Sequence, residues 1–263
     1  MTLRGAIVDL DGTVYRGAEL LDGTVDGIEA IRSAGLELLF LSNNPIKDGE
    51  QYVGHLREMG LEVADGEACS AGVVTTEYLV DNHAADRIFC IGADGLREQF
   101  LEAGLTVTDD PLETDVLVAS WTPAFDFDDM QDALDASDGE ITFLGTDPDR
   151  TFPLEKDSLV PGSGAIIGSV AAVTGMEPEK ILGKPSEVAR RSALDRLGVD
   201  AGECLIVGDR LNTDLRMGAD AGMTTVLVLT GVTDRTDIAD SDVDPDYVIE
   251  DLGGITDVLS RNK

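Results

Sequence analysis

Positive charge is what this chain has least of. Its 263 residues carry 19 Lys plus Arg against 52 Asp plus Glu, a formal net charge of −33. Lysine stands only at Lys47, Lys156, Lys180, Lys184 and Lys263; the other basic residues are arginine. A surface so poor in cations cannot replace the counterions of a phosphate backbone, which argues against nucleic acid and anionic membranes as partners. Cysteine is equally sparse. Cys69, Cys90 and Cys204 lie in or beside apolar segments with no paired spacing, so neither a disulfide framework nor a thiolate metal site is indicated. They read as small buried hydrophobes in a reducing cytoplasm. No apolar run approaches the ~18–20 residues of a membrane span, and the N-terminus runs straight into a strand, so no leader is expected. Fixed-period repeats and low-complexity segments are also missing.

What is present is acid and a core. The hydrophobic fraction of 43% is too high for a disordered polyanion. Like charge at this density opposes compaction in dilute buffer, and molar salt screens it by shrinking the Debye length to about 3 Å. The composition therefore predicts a folded protein of a salt-filled cytoplasm, that of an extreme halophile. The length fits one large domain or two smaller ones.

Strands and helices alternate from the start. Ala6-Ile7-Val8 reads as a buried strand that stops on Asp9, Leu10 and Asp11 before Gly12 turns the chain. Residues two apart in a strand share a side, so Asp9 and Asp11 can face one pocket while Leu10 faces the core. A helix over 24–34 ends at Gly35, a strand over 36–41 ends on Ser42-Asn43-Asn44-Pro45, and a helix over 48–59 ends at Gly60. Near Ala71 the pattern restarts as an α/β unit of its own, with strands over 87–91, 116–120 and 140–144 and helices over 71–80, 95–103, 128–136 and 163–174. From Lys180 the first pattern resumes. Gly183-Lys184-Pro185 leads into a helix over 186–197, and the strand 204–207 ends on Gly208-Asp209-Arg210. A helix over 212–221, strands 225–229 and 247–249 and a final short helix complete it. Residues 234–246 read as a solvated acidic loop. The fold expected is α/β, a Rossmann-like parallel-sheet core over 1–70 and 181–263 with an inserted α/β cap over 71–180.

Four separated segments end an apolar strand or turn on polar groups: Asp9 with Asp11, Ser42 with Asn43, Lys184, and Asp209 with Asp214. Strands of a parallel sheet end at one edge, where α/β proteins hold ligands. Each segment alone reads as an ordinary turn, surface lysine or helix entry. Together they suit phosphoryl transfer. A carboxylate can act as nucleophile, a second acid can protonate the leaving oxygen and then activate water, and Asp209 adds a carboxylate for Mg²⁺. Ser42 and the Asn43 N–H can hydrogen-bond phosphate oxygens, and Lys184 offsets the dianion.

These residues are recognisable. Asp9-Leu10-Asp11-Gly12-Thr13-Val14-Tyr15, Ser42-Asn43-Asn44, Gly183-Lys184-Pro185 and Gly208-Asp209-Arg210-Leu211-Asn212-Thr213-Asp214 resemble the four motifs of the haloacid dehalogenase (HAD) superfamily. The segment between motifs two and three resembles the α/β cap of the NagD-type, 4-nitrophenylphosphatase-like subclass, through Gly145-Thr146-Asp147-Pro148-Asp149 and Pro161-Gly162-Ser163-Gly164. The resemblance implies Asp9 as nucleophile and Asp11 as general acid/base. It implies Mg²⁺ on Asp9, the Asp11 carbonyl and Asp209, and phosphate on Ser42, Asn43 and Lys184. Arg210, Leu211, Asn212 and Thr213 would line the site, with Asp214 orienting the metal waters or Lys184. It implies a phosphatase of small phosphorylated metabolites, such as sugar phosphates, phosphoglycolate, nucleotides or 4-nitrophenyl phosphate, and by analogy allows a homodimer. Two departures concern the substrate: Asp147 where relatives commonly carry Asn, and Trp121 in an atypical cap segment, either a substrate contact or packing. The competing expectations are a non-catalytic phosphate sensor or partner-binding protein on the same fold, and a phosphonatase or mutase. A phosphonatase needs a cap lysine, for which only Lys156 and Lys180 are available.

Overall fold

A computed structural model describes residues 2–155 and 158–262; Lys156 and Lys263 lie outside the described residues. The elements run β1 (Gly5–Val8), β2 (Tyr15–Arg16), β3 (Glu19–Leu20), α1 (Thr24–Ser33), β4 (Glu37–Ser42), α2 (Gly49–Glu58), β5 (Ala68–Ser70) and α3 (Ala71–His83). Next come β6 (Arg87–Ile91), α4 (Asp94–Glu102), β7 (Thr106–Thr108), β8 (Val116–Ala119), α5 (Phe127–Ala136), β9 (Thr142–Gly145), β10 (Thr151–Glu155), β11 (Ser158–Pro161) and α6 (Ser163–Thr174). The chain closes with β12 (Lys180–Ile181), α7 (Glu187–Leu197), β13 (Cys204–Gly208), α8 (Arg216–Ala221), β14 (Thr224–Val228), α9 (Arg235–Asp240), β15 (Tyr247–Ile249) and α10 (Ile255–Arg261). No helix among the described residues is long and apolar enough to cross a membrane.

The chain divides into two compact units. One comprises Met1–Ser42, Gly49–Cys69 and Ala189–Lys263, the other Asn43–Asp48 and Ser70–Val188. The first is built on a six-stranded sheet ordered β15-β14-β13-β1-β4-β5. β1 pairs in parallel with β4 on one side and β13 on the other, in a register that sets Val8 opposite both Phe40 and Val207. Its central strands β1 and β13 are buried throughout, and Ala6, Val8, Phe40, Leu205 and Val207 join Ile28, Ile31, Leu56 and Val258 from the helices in one core. The order also says where a site belongs. From β1 the chain passes to β4 on one side and returns later to β13 on the other, so the sheet changes winding direction beside β1, and ligands bind in the crevice opened at such a point.

The second unit carries its own five-stranded sheet, β12-β9-β8-β6-β7, parallel throughout. Its core is Phe89, Ile91, Leu117, Ala119 and Phe143 from the strands against Ala133, Ile166, Ile167 and Val170 from α5 and α6. The β10–β11 ribbon is antiparallel. Trp121 stacks edge-on against Phe152 with ring centroids 5.6 Å apart and donates its indole N–H to the Pro161 carbonyl at 3.1 Å.

Two local expectations are corrected. The stretch 234–246 is not a plain loop: Asp234 caps α9, accepting from Thr236 and Asp237 while Asp237 answers the Asp234 N–H. Acidic residues that look merely solvated are here a reciprocal helix start. The segment after Asp209 does not enter an α-helix directly either. A wide π-helical turn over Leu211–Leu215 comes first and α8 begins at Arg216.

Candidate active site

The parallel edge of the first unit collects the ends of three adjacent strands. Asp9 follows β1, with its N–H still bonded to the Val207 carbonyl at 2.9 Å. Ser42 is the last residue of β4, and Asp209 follows the last residue of β13. Side-chain oxygens of Asp9, Asp209 and Asp214, all buried, lie within 4.8 Å of one another. Asp214 reaches the group from the π-helical turn, where its carboxylate accepts the Arg210 N–H at 3.2 Å.

Glycines and main-chain donors hold this arrangement. Asp209 accepts the Val232 N–H at 2.7 Å. A Cβ at Gly231 would fall 1.9 Å from the Asp209 carboxylate, one at Gly12 2.7 Å from it, and one at Gly208 2.4 Å from the Asp214 carboxyl carbon. Gly12 also has φ 90°, a conformation costly for any other residue. The turn before it is tight, since the Leu10 carbonyl accepts from Val14 at 2.8 Å and from Thr13 and Tyr15 at 3.2 Å. Thr13 donates its hydroxyl to Asp9 at 3.3 Å, and Thr230 donates to the Gly12 carbonyl at 2.6 Å.

Asp11 lies past the end of β1, exposed, where its main chain bridges to Tyr15. The Tyr15 hydroxyl donates to the Asp11 carboxylate at 3.4 Å. Burial, then the charges of Asp11 and the groups at Tyr52 and Asp9, drive the Tyr15 phenol far above its ordinary range, so it stays protonated and serves as a donor. Ser42 is buried and its hydroxyl pairs with that of Tyr52 at 3.3 Å. Around Asp209, Leu211, Thr213 and Asp214 are buried, Arg210 is half-buried and Asn212 exposed.

Asn43 and Lys184 belong to the second unit and are bound to each other there. Asn43 accepts the Lys184 N–H at 2.8 Å and donates to the Lys184 carbonyl at 3.1 Å. Lys184 is buried, and its peptide bond to Pro185 is cis.

Three buried carboxylates repel unless a proton or a cation sits among them. Their oxygens are hard donors of the kind Mg²⁺ prefers, an ion usually held by one or two carboxylates and substrate phosphate while keeping several waters. The donor chemistry thus fits a divalent cation held by Asp9, Asp209 and Asp214. Asp214 belongs to this carboxylate group directly, whereas the Asp11 side chain points to Tyr15. Three contributors carried little advance signal. Tyr15 lay inside the first motif without an assigned task, Tyr52 looked like a core residue of α2, and the Gly231–Val232 support for Asp209 was visible only as a glycine after the strand β14.

Known proteins resemble this chain along nearly its whole length. Residues 6–106 match the family model for haloacid dehalogenase-like hydrolases, and residues 181–255 match a second, HAD-hydrolase-like model. The acid sugar phosphatase of Staphylococcus aureus is 32% identical over 246 residues, 94% of each chain. Among solved structures, p-nitrophenyl phosphatase from Archaeoglobus fulgidus superposes with a TM-score of 0.91 at 35% identity, covering 98% of this chain and 100% of that one. NagD from E. coli K-12 superposes at 0.84 with 27% identity, covering 96% and 98%. The chain belongs to the haloacid dehalogenase-like hydrolases, with their Rossmann-like core and cap, and it is a phosphatase of that family.

Proposed function

We propose that the protein is a Mg²⁺-dependent phosphatase of small phosphorylated metabolites, sugar phosphates foremost, working through an aspartyl-phosphate on Asp9. The observation that carries this reading is the buried Asp9–Asp209–Asp214 group at the carboxyl ends of β1 and β13. The sugar-phosphate preference draws on the name of the Staphylococcus aureus relative, and 4-nitrophenyl phosphate is the reporter suggested by the Archaeoglobus fulgidus one.

In this reading an Asp9 oxygen attacks phosphorus and the bond from phosphorus to the ester oxygen breaks. The Asp11 carboxyl gives its proton to that departing oxygen. Asp11, now a carboxylate, takes a proton from water, the water oxygen attacks the phosphoryl group, and inorganic phosphate leaves as the Asp9 carboxylate is restored. Thr13, bonded to Asp9, limits rotation of the nucleophile. Tyr15, a permanent donor, orients Asp11. Ser42, the Asn43 N–H and the Lys184 ammonium bind phosphate oxygens, with Arg210, Leu211, Asn212 and Thr213 beside them. Mg²⁺ on Asp9, Asp209 and the Asp11 carbonyl, with Asp214, would offset the charge that the carboxylates and phosphoryl group bring together. Residues 71–180 act as the specificity cap. A cytoplasmic, halophilic setting and a homodimer complete the reading.

The test is phosphate release from a panel of sugar phosphates, phosphoglycolate, nucleotides and 4-nitrophenyl phosphate, in Mg²⁺ and molar KCl, by wild type and Asp9→Asn. Release by wild type alone, highest in kcat/KM for sugar phosphates, is expected. Equal release by both proteins would defeat the assignment of Asp9.

A further inference from the structure

In the second unit, the loop after β9 turns two carboxylates inward. Asp147 is 2% exposed. It accepts the Thr146 hydroxyl at 3.1 Å and the Asp149 N–H at 3.2 Å, and Thr146 is paired in turn with Ser120 at 2.9 Å. The loop is clamped on both sides. The Gly183 N–H binds the Thr146 carbonyl at 2.6 Å and the Gly164 N–H binds the Asp149 carbonyl at 2.9 Å. A Cβ at Gly183 would stand 2.8 Å from both the Thr146 carbonyl and the Asn43 amide oxygen, and one at Gly164 2.3 Å from the Pro148 carbonyl. From this fixed base the Asp149 carboxylate accepts the Asn43 side-chain N–H at 3.2 Å. The same Asn43 amide brackets the Lys184 main chain through the two bonds described above.

We propose that Asp149 is a positioning residue for phosphate binding: its carboxylate holds the plane of the Asn43 amide, and through that amide the main chain from which Lys184 extends. The proposal rests on the reading of Asn43 and Lys184 as phosphate-binding residues. The two main-chain bonds fix which end of the amide faces which, and the third, charge-assisted bond stops it from swinging about its own axis. Asp147 is joined to this contact through the Asp149 N–H. Burial, then the charge of Asp149, push its carboxyl up to about 7, with Ser163, the Asp149 N–H and Thr146 acting in the other direction. A carboxyl raised in this way keeps its proton to higher pH than an ordinary aspartate, which eases the repulsion between Asp147 and Asp149.

The experiment compares wild type, Asp149→Asn and Asp149→Ala. Inorganic phosphate binding is measured by calorimetry in Mg²⁺ and molar KCl, and KM and kcat on 4-nitrophenyl phosphate. The Asn variant keeps the shape and gives up the charge; it is expected to bind phosphate about threefold more weakly. The Ala variant is expected to lose about tenfold, with KM rising more than kcat falls. Phosphate affinity equal to wild type in the Asn variant, or a loss in kcat alone, overturns the proposal. Should the Ala variant not fold, the Asn variant decides by itself. A wild-type protein that neither binds phosphate nor hydrolyses the ester removes the functional reading and the proposal with it.

Discussion

The two units bury carboxylates in opposite ways. In the first, three strand ends and a turn bring Asp9, Asp209 and Asp214 within 4.8 Å of one another, and glycines at 12, 208 and 231 let the carboxylates approach main chain that any side chain would block. In the second, Asp147 and Asp149 are separated by one residue and divided in role, one bonded to hydroxyls and a peptide N–H, the other to the Asn43 amide. Buried negative charge has two common remedies, a cation and a proton. The first group has the hard, convergent donors of a cation site; the second has the neighbours of a protonated acid. The difference teaches that charge alone does not single out a candidate site in a chain with 52 acidic residues. Convergence at the switch point of a parallel sheet is what sets the Asp9–Asp209–Asp214 group apart.

The comparison can be broken most severely at Asp9. Asp9→Asn should lower kcat by at least about 10⁴-fold, measured as phosphate release in single-turnover and steady-state assays. Asp209→Asn should next weaken Mg²⁺ binding by about 100-fold, read by calorimetric titration of the ion, and EDTA should abolish wild-type turnover reversibly. Were Mg²⁺ affinity unchanged, the cation remedy would be wrong.

The proton remedy predicts the reverse dependence on charge at Asp147. A carboxyl that sits near 3.8 when unfolded and about 7 when folded binds more protons in the native state. Its contribution is therefore whole below about pH 4 and is lost as pH rises toward 7. Asp147→Asn removes that loss, so the variant should gain roughly 4 kcal/mol over wild type at pH 8 and almost nothing at pH 4. Denaturant melts of both proteins at the two pH values check the sign. The smallest effect concerns the surface. Raising KCl from about 0.1 to 2 M should stabilise wild type and Asp147→Asn by the same few degrees, because salt screens exposed charge and leaves a buried pair untouched. Full stability in dilute buffer would remove the halophilic reading.

Much of this was readable beforehand because parallel α/β proteins write their strands as continuous apolar runs. Arg87–Ile91 and Tyr247–Ile249 stand where the pattern puts them, as does the helix Ser163–Thr174. The short pieces were not readable. Tyr15–Arg16 with Glu19–Leu20, and Ala68–Ser70, are too brief for periodicity and exist because a neighbouring strand supplies the hydrogen bonds. α9 stayed hidden because its capping residues are the same acids that cover the rest of the surface. Asp209 announced itself at a strand end. Asp214's membership in the carboxylate group depends on a π-helical turn, a distortion with no period of its own. Nor does sequence alone reveal that the Asn43 amide is held at both ends, since its partners lie more than 100 residues away at Asp149 and Lys184.

The pairing of β1 with β13 joins residues about 200 positions apart in the chain. A ribosome that has finished Asp9, Ser42 and the whole second unit has still not made the strand that carries Asp209. Until then β1 has an open edge on that side, and Asp9 is one carboxylate without the two others it converges with. The carboxylate group is therefore assembled late in biosynthesis, when the last third of the chain docks beside the first strand. A truncation upstream of Cys204 should leave an aggregation-prone sheet edge and no acidic centre at all.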